Sequence, residues 1–263
     1  MSKVIAFANQ KGGTGKTTSV LTIASLLSKQ QRTVLVIDMD PQASATSMLL
    51  ALEENTLLDD QTATTALLDG AELPILRVEK HNLDLVPASA MLSRAELELA
   101  LVPDSIENSR VHRLKKALES IREDYDYVLI DCPGNLGLLT LNGLAACDHI
   151  LTVSSIGKFE RNASRFFVKY VDGLLSEYAP MVKHLGLLLT MTDAYPITDT
   201  MLSKLKEIPE VADKVLLNTI PKNNAIRNAT EQNESVLFYD IYSPSSKAYM
   251  RVLEELEERL ARD

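Results

Sequence analysis

The sequence predicts an α/β fold, a single doubly wound, mostly parallel sheet with helices on both faces. Three observations carry that expectation. Short apolar runs that read as buried strands alternate with stretches of helical spacing along the whole chain. A glycine-rich segment, Gln10-Lys11-Gly12-Gly13-Thr14-Gly15-Lys16-Thr17-Thr18, lies between the first strand and the first helix. Two later strands end in aspartate, at Asp38 and Asp131. In an open parallel sheet the carboxyl ends of the strands line one crevice, so all three features are expected at the same edge.

The first strand is Val4-Ile5-Ala6-Phe7-Ala8, and the helix after the glycine-rich turn is marked by Val20, Ile23, Ala24 and Leu27. A glycine turn between strand and helix is a phosphate cradle. Glycines let the main chain aim several amide N–H groups at one anion, and the positive end of the helix adds to that field. Lys16 is then placed for the β and γ phosphates, and the Thr17 hydroxyl for Mg²⁺. The general pattern has a glycine five positions before Gly15, where this chain has Gln10, and a second lysine, Lys11, begins the loop.

Thr33 to Asp38 reads as the second strand and leads into Asp38-Met39-Asp40-Pro41-Gln42. Asp40 is a candidate to orient an attacking water, while Asp38 fits either a crevice carboxylate or the cap of a helix beginning near Ala43. Short helices are expected over Ser47 to Leu52 and Ala63 to Leu68, around the polar stretch Glu53 to Gln61, as an insertion on the sheet edge. Leu83 to Val86 is a short strand ended by Pro87; Ser89 is placed to cap a helix from Met91 to Leu101, and another is expected from about Glu107 to Arg122. Tyr127-Val128-Leu129-Ile130-Asp131 is a dry strand whose final carboxylate emerges at the crevice, where it can hold Mg²⁺.

Ile150 to Val153 and Leu185 to Thr190 read as further central strands, with a loop from Ser154 to Phe159. A helix from Arg161 to Tyr178 carries Phe166, Phe167, Tyr170, Val171, Leu174 and Leu175 as a core stripe. A helix from about Thr198 to Ile208 precedes a predicted strand over Val215 to Ile220. The last helix, about Ser245 to Arg262, has Ala248, Tyr249, Val252, Leu253, Leu256 and Leu260 on one face, and Glu254, Glu255, Glu257 and Glu258 largely on the other. No repeat, low-complexity segment or linker divides the chain, so residues 1–263 are expected to form one domain.

Apolar content of 46% and charged content of 24% are those of an ordinary globular protein with a full core. No run of about 18 apolar residues and no signal-type start are found, so a cytoplasmic location is expected. Cys132 and Cys147 form no C-x-x-C pair, and His81, His112, His149 and His184 are scattered singly, which argues against a disulfide framework or a zinc site. A net charge of −9 excludes a uniformly basic coat but leaves room for a local basic patch.

The run Lys11-Gly12-Gly13-Thr14-Gly15-Lys16-Thr17-Thr18 resembles the deviant Walker A loop of the ParA/MinD ATPases, a P-loop NTPase group. The Asp38-Met39-Asp40-Pro41-Gln42 segment resembles the same group's Walker A' motif, and the Tyr127–Asp131 strand its Walker B. Asp131 to Asn142 resembles the switch segment that follows, with Gly134 where relatives usually have a second proline. The resemblance covers nearly the full length and points to a ParA-type partitioning ATPase. It implies that ATP and Mg²⁺ are bound by Gly12, Gly13, Thr14, Gly15, Lys16, Thr17 and Thr18, with Thr17, Asp131 and Asp40 around the metal. Asp40 would support hydrolysis, and Lys11 would cross to the nucleotide of a partner subunit in an ATP-bound homodimer. Ile220-Pro221-Lys222-Asn223 resembles the segment that packs on adenine, with Asn218 a weaker candidate for the same task.

The same resemblance implies that the ATP dimer binds duplex DNA without sequence preference, associates with the nucleoid, and is turned over by a ParB-type adaptor. The chain starts at its first strand, so no N-terminal helix-turn-helix extension is expected. Two positions that often carry arginine in relatives are Tyr195 and Ala225 here, which leaves Lys222 and Arg227, then Lys247 and Arg251, then Lys204 and Lys206, as DNA-contact candidates. The acidic polar face of the last helix would be repelled by anionic lipid, against a MinD-like membrane anchor. A positioning ATPase for a protein cargo shares every nucleotide residue and is the alternative reading. A redox relative of the nitrogenase iron protein needs cluster cysteines, for which Cys132 beside Asp131 is badly placed.

Overall fold

The computed structural model describes residues 2–51, 61–103, 109–156, 158–192 and 197–262. The polar stretch before Gln61, the expected helix start at Glu107, and Tyr195 lie outside the described residues. Seven strands, β1 (Lys3–Ala8), β2 (Val34–Asp38), β3 (Leu76–Val78), β4 (Leu83–Val86), β5 (Tyr127–Asp131), β6 (His149–Ser155) and β7 (Lys183–Thr190), form one sheet in the order β3-β4-β2-β5-β1-β6-β7. Every pairing is parallel except that of β3 with β4 at one edge. The expected doubly wound sheet is therefore what the chain forms; β3, three residues long, has too little pattern to be read from sequence.

Both faces are covered, and the strand period of two sorts the side chains between them. On β1, Ile5 and Phe7 join the core built with α1 (Lys16–Lys29) and α11 (Pro244–Arg262), whereas Val4, Ala6 and Ala8 enter the opposite core. That second core is built with α3 (Ala63–Asp69), α4 (Met91–Leu101), α5 (Arg113–Leu118), α6 (Leu138–Ala146) and α7 (Lys158–Tyr178). The remaining helices are α2 (Ser44–Leu50), α8 (Ile197–Lys206), α9 (Asn224–Glu231) and α10 (Val236–Tyr239). Buried small polar residues do not disrupt α1, because Ser19, Thr22 and Ser25 return their hydroxyls to carbonyls four residues back. The Ser19 hydroxyl also meets that of Tyr249 at 3.0 Å, joining α1 to α11.

Several expectations need correction. The predicted strand over Val215 to Ile220 is two isolated parallel bridges, Leu187 with Val215 and Thr192 with Pro221. Between them the N–H groups of Leu217 and Asn218 donate to the Glu255 carboxylate, each at 2.9 Å, and so turn away from β7. Glu255 thus leaves the polar face assigned to it and points inward, where it also pairs with Arg259 at 3.3 Å. The aromatic stripe of α7 splits: Phe167, Val171 and Leu175 are buried, while Phe166 is 55% exposed and stacks on exposed Tyr170 with ring centroids 6.0 Å apart. The helix expected to Arg122 is the shorter α5 and a separate 3-10 turn, Arg122–Asp124. Its start is set from α6, because the Asn142 side chain accepts from Leu114 N–H and donates to the Arg110 carbonyl. Ser89 does reach the first turn of α4, accepting from Met91 N–H at 3.3 Å. Ser154 and Ser155 belong to β6, not to the loop after it.

Candidate active site

Strand register assembles the site. Phe7, three residues before the glycine-rich loop, is level with Asp131, and Asp131 is level with Asp38 on its other side. The loop and both strand-ending carboxylates therefore share the carboxyl edge of three adjacent strands, β1, β5 and β2. Asn9 starts the loop off the sheet: its side-chain amide donates to the Val153 carbonyl at 2.7 Å, and its oxygen accepts from Lys11 N–H at 3.3 Å. Gly13 and Gly15 have φ of 71° and 85°, a left-handed backbone in which glycine carries no steric cost, and α1 starts directly after Gly15. Lys11, Gly12 and Gly13 are exposed, whereas Thr14 and Lys16 are buried. The Lys16 ammonium donates to the Lys11 carbonyl at 3.3 Å, so the buried lysine lies along the loop it is expected to serve.

The two strand-end aspartates differ sharply. Asp38 is fully engaged: its carboxylate accepts from the N–H and hydroxyl of Thr46, at 2.9 and 2.8 Å, and from Asp40 N–H at 3.1 Å. It holds the first turn of α2 in place, the capping role, and burial pushes its carboxyl up to about 6 against those hydrogen bonds. Asp131 is equally buried, yet neither of its oxygens has a hydrogen-bond partner among the described residues. Burial, with the Asp38 charge second, drives its carboxyl well above the usual range; the nearby Thr17 hydroxyl and Lys16 ammonium pull the other way. An orphaned buried carboxylate beside a hydroxyl and a phosphate loop is what a magnesium ion fits, since Mg²⁺ takes one or two protein oxygens and fills its shell with water and phosphate. Asp40 is half-buried and turns the chain by accepting from Gln42 N–H at 2.9 Å.

The segment after β5 lies directly on the loop. A Cβ on Gly134 would stand 3.1 Å from both the Cα and the N of Gly12, so the absence of a side chain is what allows this approach. Downstream, Asn135 accepts from Gly137 N–H at 3.0 Å, and Glu96 on α4 accepts from Leu139 N–H at 3.4 Å, giving α6 an acidic partner at its N-terminus.

Beside the loop is a cavity of about 300 Å³, walled by Gly15, Thr18, Pro221, Ile226 and Tyr249 among others, with Lys222 and Arg227 also lining it. Its position and apolar walls suit a nucleobase next to a phosphate cradle. Pro221 and Lys222 line this cavity, but Asn218 is absent from the lining and its side-chain amide is committed to Glu255 at 2.9 Å. Thr190 and Met191, at the end of β7, line the same cavity and were missed by the sequence reading; their signal was a strand ending at the same sheet edge. Lys222 and Arg251 also border a larger cavity of about 890 Å³ toward α8. Lys247 is exposed one helical turn before Arg251, Lys204 is exposed on α8, and Arg227 pairs with Glu231 at 3.0 Å.

Comparison with known proteins agrees with this fold. The sequence profile of a family described as an AAA domain matches residues 2–184. The chain is 35% identical over 266 residues to the sporulation initiation inhibitor protein Soj of Bacillus subtilis, covering 97% of this chain and 98% of Soj. It is 32% identical to the chromosome partitioning protein ParA of Myxococcus xanthus, covering 98% of this chain and 89% of that protein. Among solved structures, cobyrinic acid a,c-diamide synthase from Mycobacterium smegmatis with bound ADP and magnesium superposes with a TM-score of 0.81 at 28% identity, covering 99% of this chain and 96% of the other.

Proposed function

This chain belongs to the ParA/Soj family of P-loop partitioning ATPases, and from that premise we propose that it is a dimerising switch: with ATP bound, two copies close over the nucleotides and hold duplex DNA without reading its sequence. ATP and Mg²⁺ are its cofactors. The loop amides from Gly12 to Thr18 receive the phosphates, Lys16 offsets their charge, and the cavity beside Pro221 takes the base. Thr17 and Asp131 are the residues that would hold Mg²⁺, with Asp40 nearby; bound there, the ion draws charge from the phosphate oxygens. Asp40, on the turn after β2, orients the water that attacks the terminal phosphate.

The observation that carries the dimer reading is Lys11. It is exposed at the outer side of a loop whose interior lysine position is already filled by buried Lys16. A second lysine there suits a nucleotide held opposite, in a second copy of the chain. Doubling the chain also doubles whatever basic surface Lys222, Arg227, Lys247, Arg251 and Lys204 supply, which is how a chain of net charge −9 binds DNA only in the ATP state. A ParB-type adaptor would stimulate hydrolysis and release the dimer, in the cytoplasm and on the nucleoid. Names borne by relatives, chromosome partitioning protein ParA among them, support this assignment.

Binding to random duplex DNA, measured against salt with ATP, with ADP and without nucleotide, tests the proposal. Binding is expected with ATP alone, falling with salt at a logarithmic slope of about 0.9 per phosphate contacted. Equal binding in all three states contradicts it.

A further inference from the structure

The phosphate loop is pinned from outside itself. Thr190, the last residue of β7, is buried, and its hydroxyl donates to the Thr14 carbonyl at 2.7 Å. The Ser154 carbonyl is a more distant alternative at 3.3 Å, and one hydroxyl has a single proton to give. Thr14 is 1% exposed, so its carbonyl lies away from water and needs such a donor. The Thr190 side chain also rests against Gly15, 3.7 Å from where a Cβ would be.

The direction of that carbonyl matters because the peptide unit is planar and trans. The Thr14 C=O and the Gly15 N–H are two ends of one rigid plate and point opposite ways. Fixing the carbonyl toward Thr190 therefore fixes the Gly15 N–H away from β7. Gly15, at positive φ, lies at one end of this plate, and glycine there leaves its rotation less restricted than a residue with a side chain would. A loop built to bring amides close to phosphate is thus, by the same property, free to turn one of them away.

We propose that Thr190 is a positioning residue for the nucleotide phosphates, holding the Thr14–Gly15 peptide so that the Gly15 N–H is presented to the cradle before ATP arrives. This rests on the assignment of the loop to ATP. Thr190 also joins the cradle to the base cavity, since Met191 and Pro221 line that cavity and Thr192 bridges to Pro221. Its hydroxyl donates to the Thr14 carbonyl at the phosphate end, while the residue also lines the base cavity.

The test compares Thr190→Val, which keeps the shape and removes the donor, with Thr190→Ser, which keeps the donor. Affinity for Mg-ATP and ADP is measured by calorimetry, and affinity for adenosine by ligand-observed NMR, with Lys16→Ala as a parallel arm. The valine variant is expected to lose about tenfold to a hundredfold in ATP and ADP affinity, the range for one hydrogen bond to a charged group. Adenosine affinity falls by less than ATP and ADP affinity, and serine restores ATP and ADP affinity. Native ADP affinity in Thr190→Val overturns the proposal, as does an equal loss for adenosine or a serine variant no better than valine. If the valine variant does not fold, Thr190→Ala against Thr190→Ser makes the same comparison, since both lack the methyl and differ in the hydroxyl; equal ADP affinity of that pair overturns it. Native ATP affinity in Lys16→Ala instead overturns the loop assignment, a different outcome from a failure of Thr190 alone.

Discussion

At the scale of single residues, the site is set by what is missing as much as by what is present. Gly134 carries no side chain, and the bare backbone there comes within contact of Gly12. The neighbours a side chain would meet are main-chain atoms of the phosphate loop, which cannot swing aside as a flexible side chain would. Gly134→Ala is therefore expected to displace the loop and weaken ATP binding by about tenfold, at an overpacking cost of about 1–3 kcal/mol. Titration of ATP into that variant checks this, and an unchanged affinity contradicts the contact. Asp131 makes the complementary point, being buried with no hydrogen-bond partner among the described residues. Asp131→Asn should bind nucleotide but lose the extra thermal stabilisation that Mg²⁺ adds to ATP; melting curves with and without the ion distinguish the two. Most of these residues were legible in the sequence, because a glycine turn followed by lysine and threonine has few other uses. Asp38 was legible only as a choice between two roles, and its bonds to Thr46, eight residues on, tie it to the first turn of α2 while it remains at the crevice edge.

At the scale of elements, local patterning was read correctly where the partner was the regular sheet and misread where a distant side chain intervened. Val215 to Ile220 has the apolar run of a strand, yet Glu255 on α11 takes the Leu217 and Asn218 N–H groups out of the ladder. Nothing in the run itself announces a carboxylate 38 positions away. Glu255 is mostly buried, and its removal leaves two amides, the Asn218 side chain and part of Arg259 without an acceptor. Glu255→Ala is expected to lower stability by about 3 kcal/mol and to speed amide exchange at Leu217 and Asn218. Denaturant unfolding and hydrogen exchange measure both, and native exchange rates would refute the clamp. The α7 stripe failed for a related reason: helical spacing groups Phe166 and Tyr170 with the buried residues, but the sheet covers only the side that carries Phe167 and Val171. The short α5 is likewise dictated by Asn142 across a helix contact, which no window on its own sequence contains.

At the scale of the whole molecule, one sheet edge gathers a phosphate loop, a capped turn carrying Asp40, an orphaned carboxylate and a base-sized cavity, while Lys11 is exposed at its rim. None of the helices described is long and apolar enough to cross a membrane. The buried face of α11 packs in the core with α1, which leaves Glu254 and Glu258 outward. Everything proposed for DNA and adaptor depends on two chains meeting through that rim. The most direct measurement is sedimentation of Asp40→Ala, which should trap ATP unhydrolysed, with and without Lys11→Ala, in Mg-ATP and in ADP. The expected result is twice the chain mass for Asp40→Ala in Mg-ATP alone, and a single-chain mass once Lys11 is also replaced. A single chain in Mg-ATP with nucleotide bound, or a dimer indifferent to Lys11, would contradict the account.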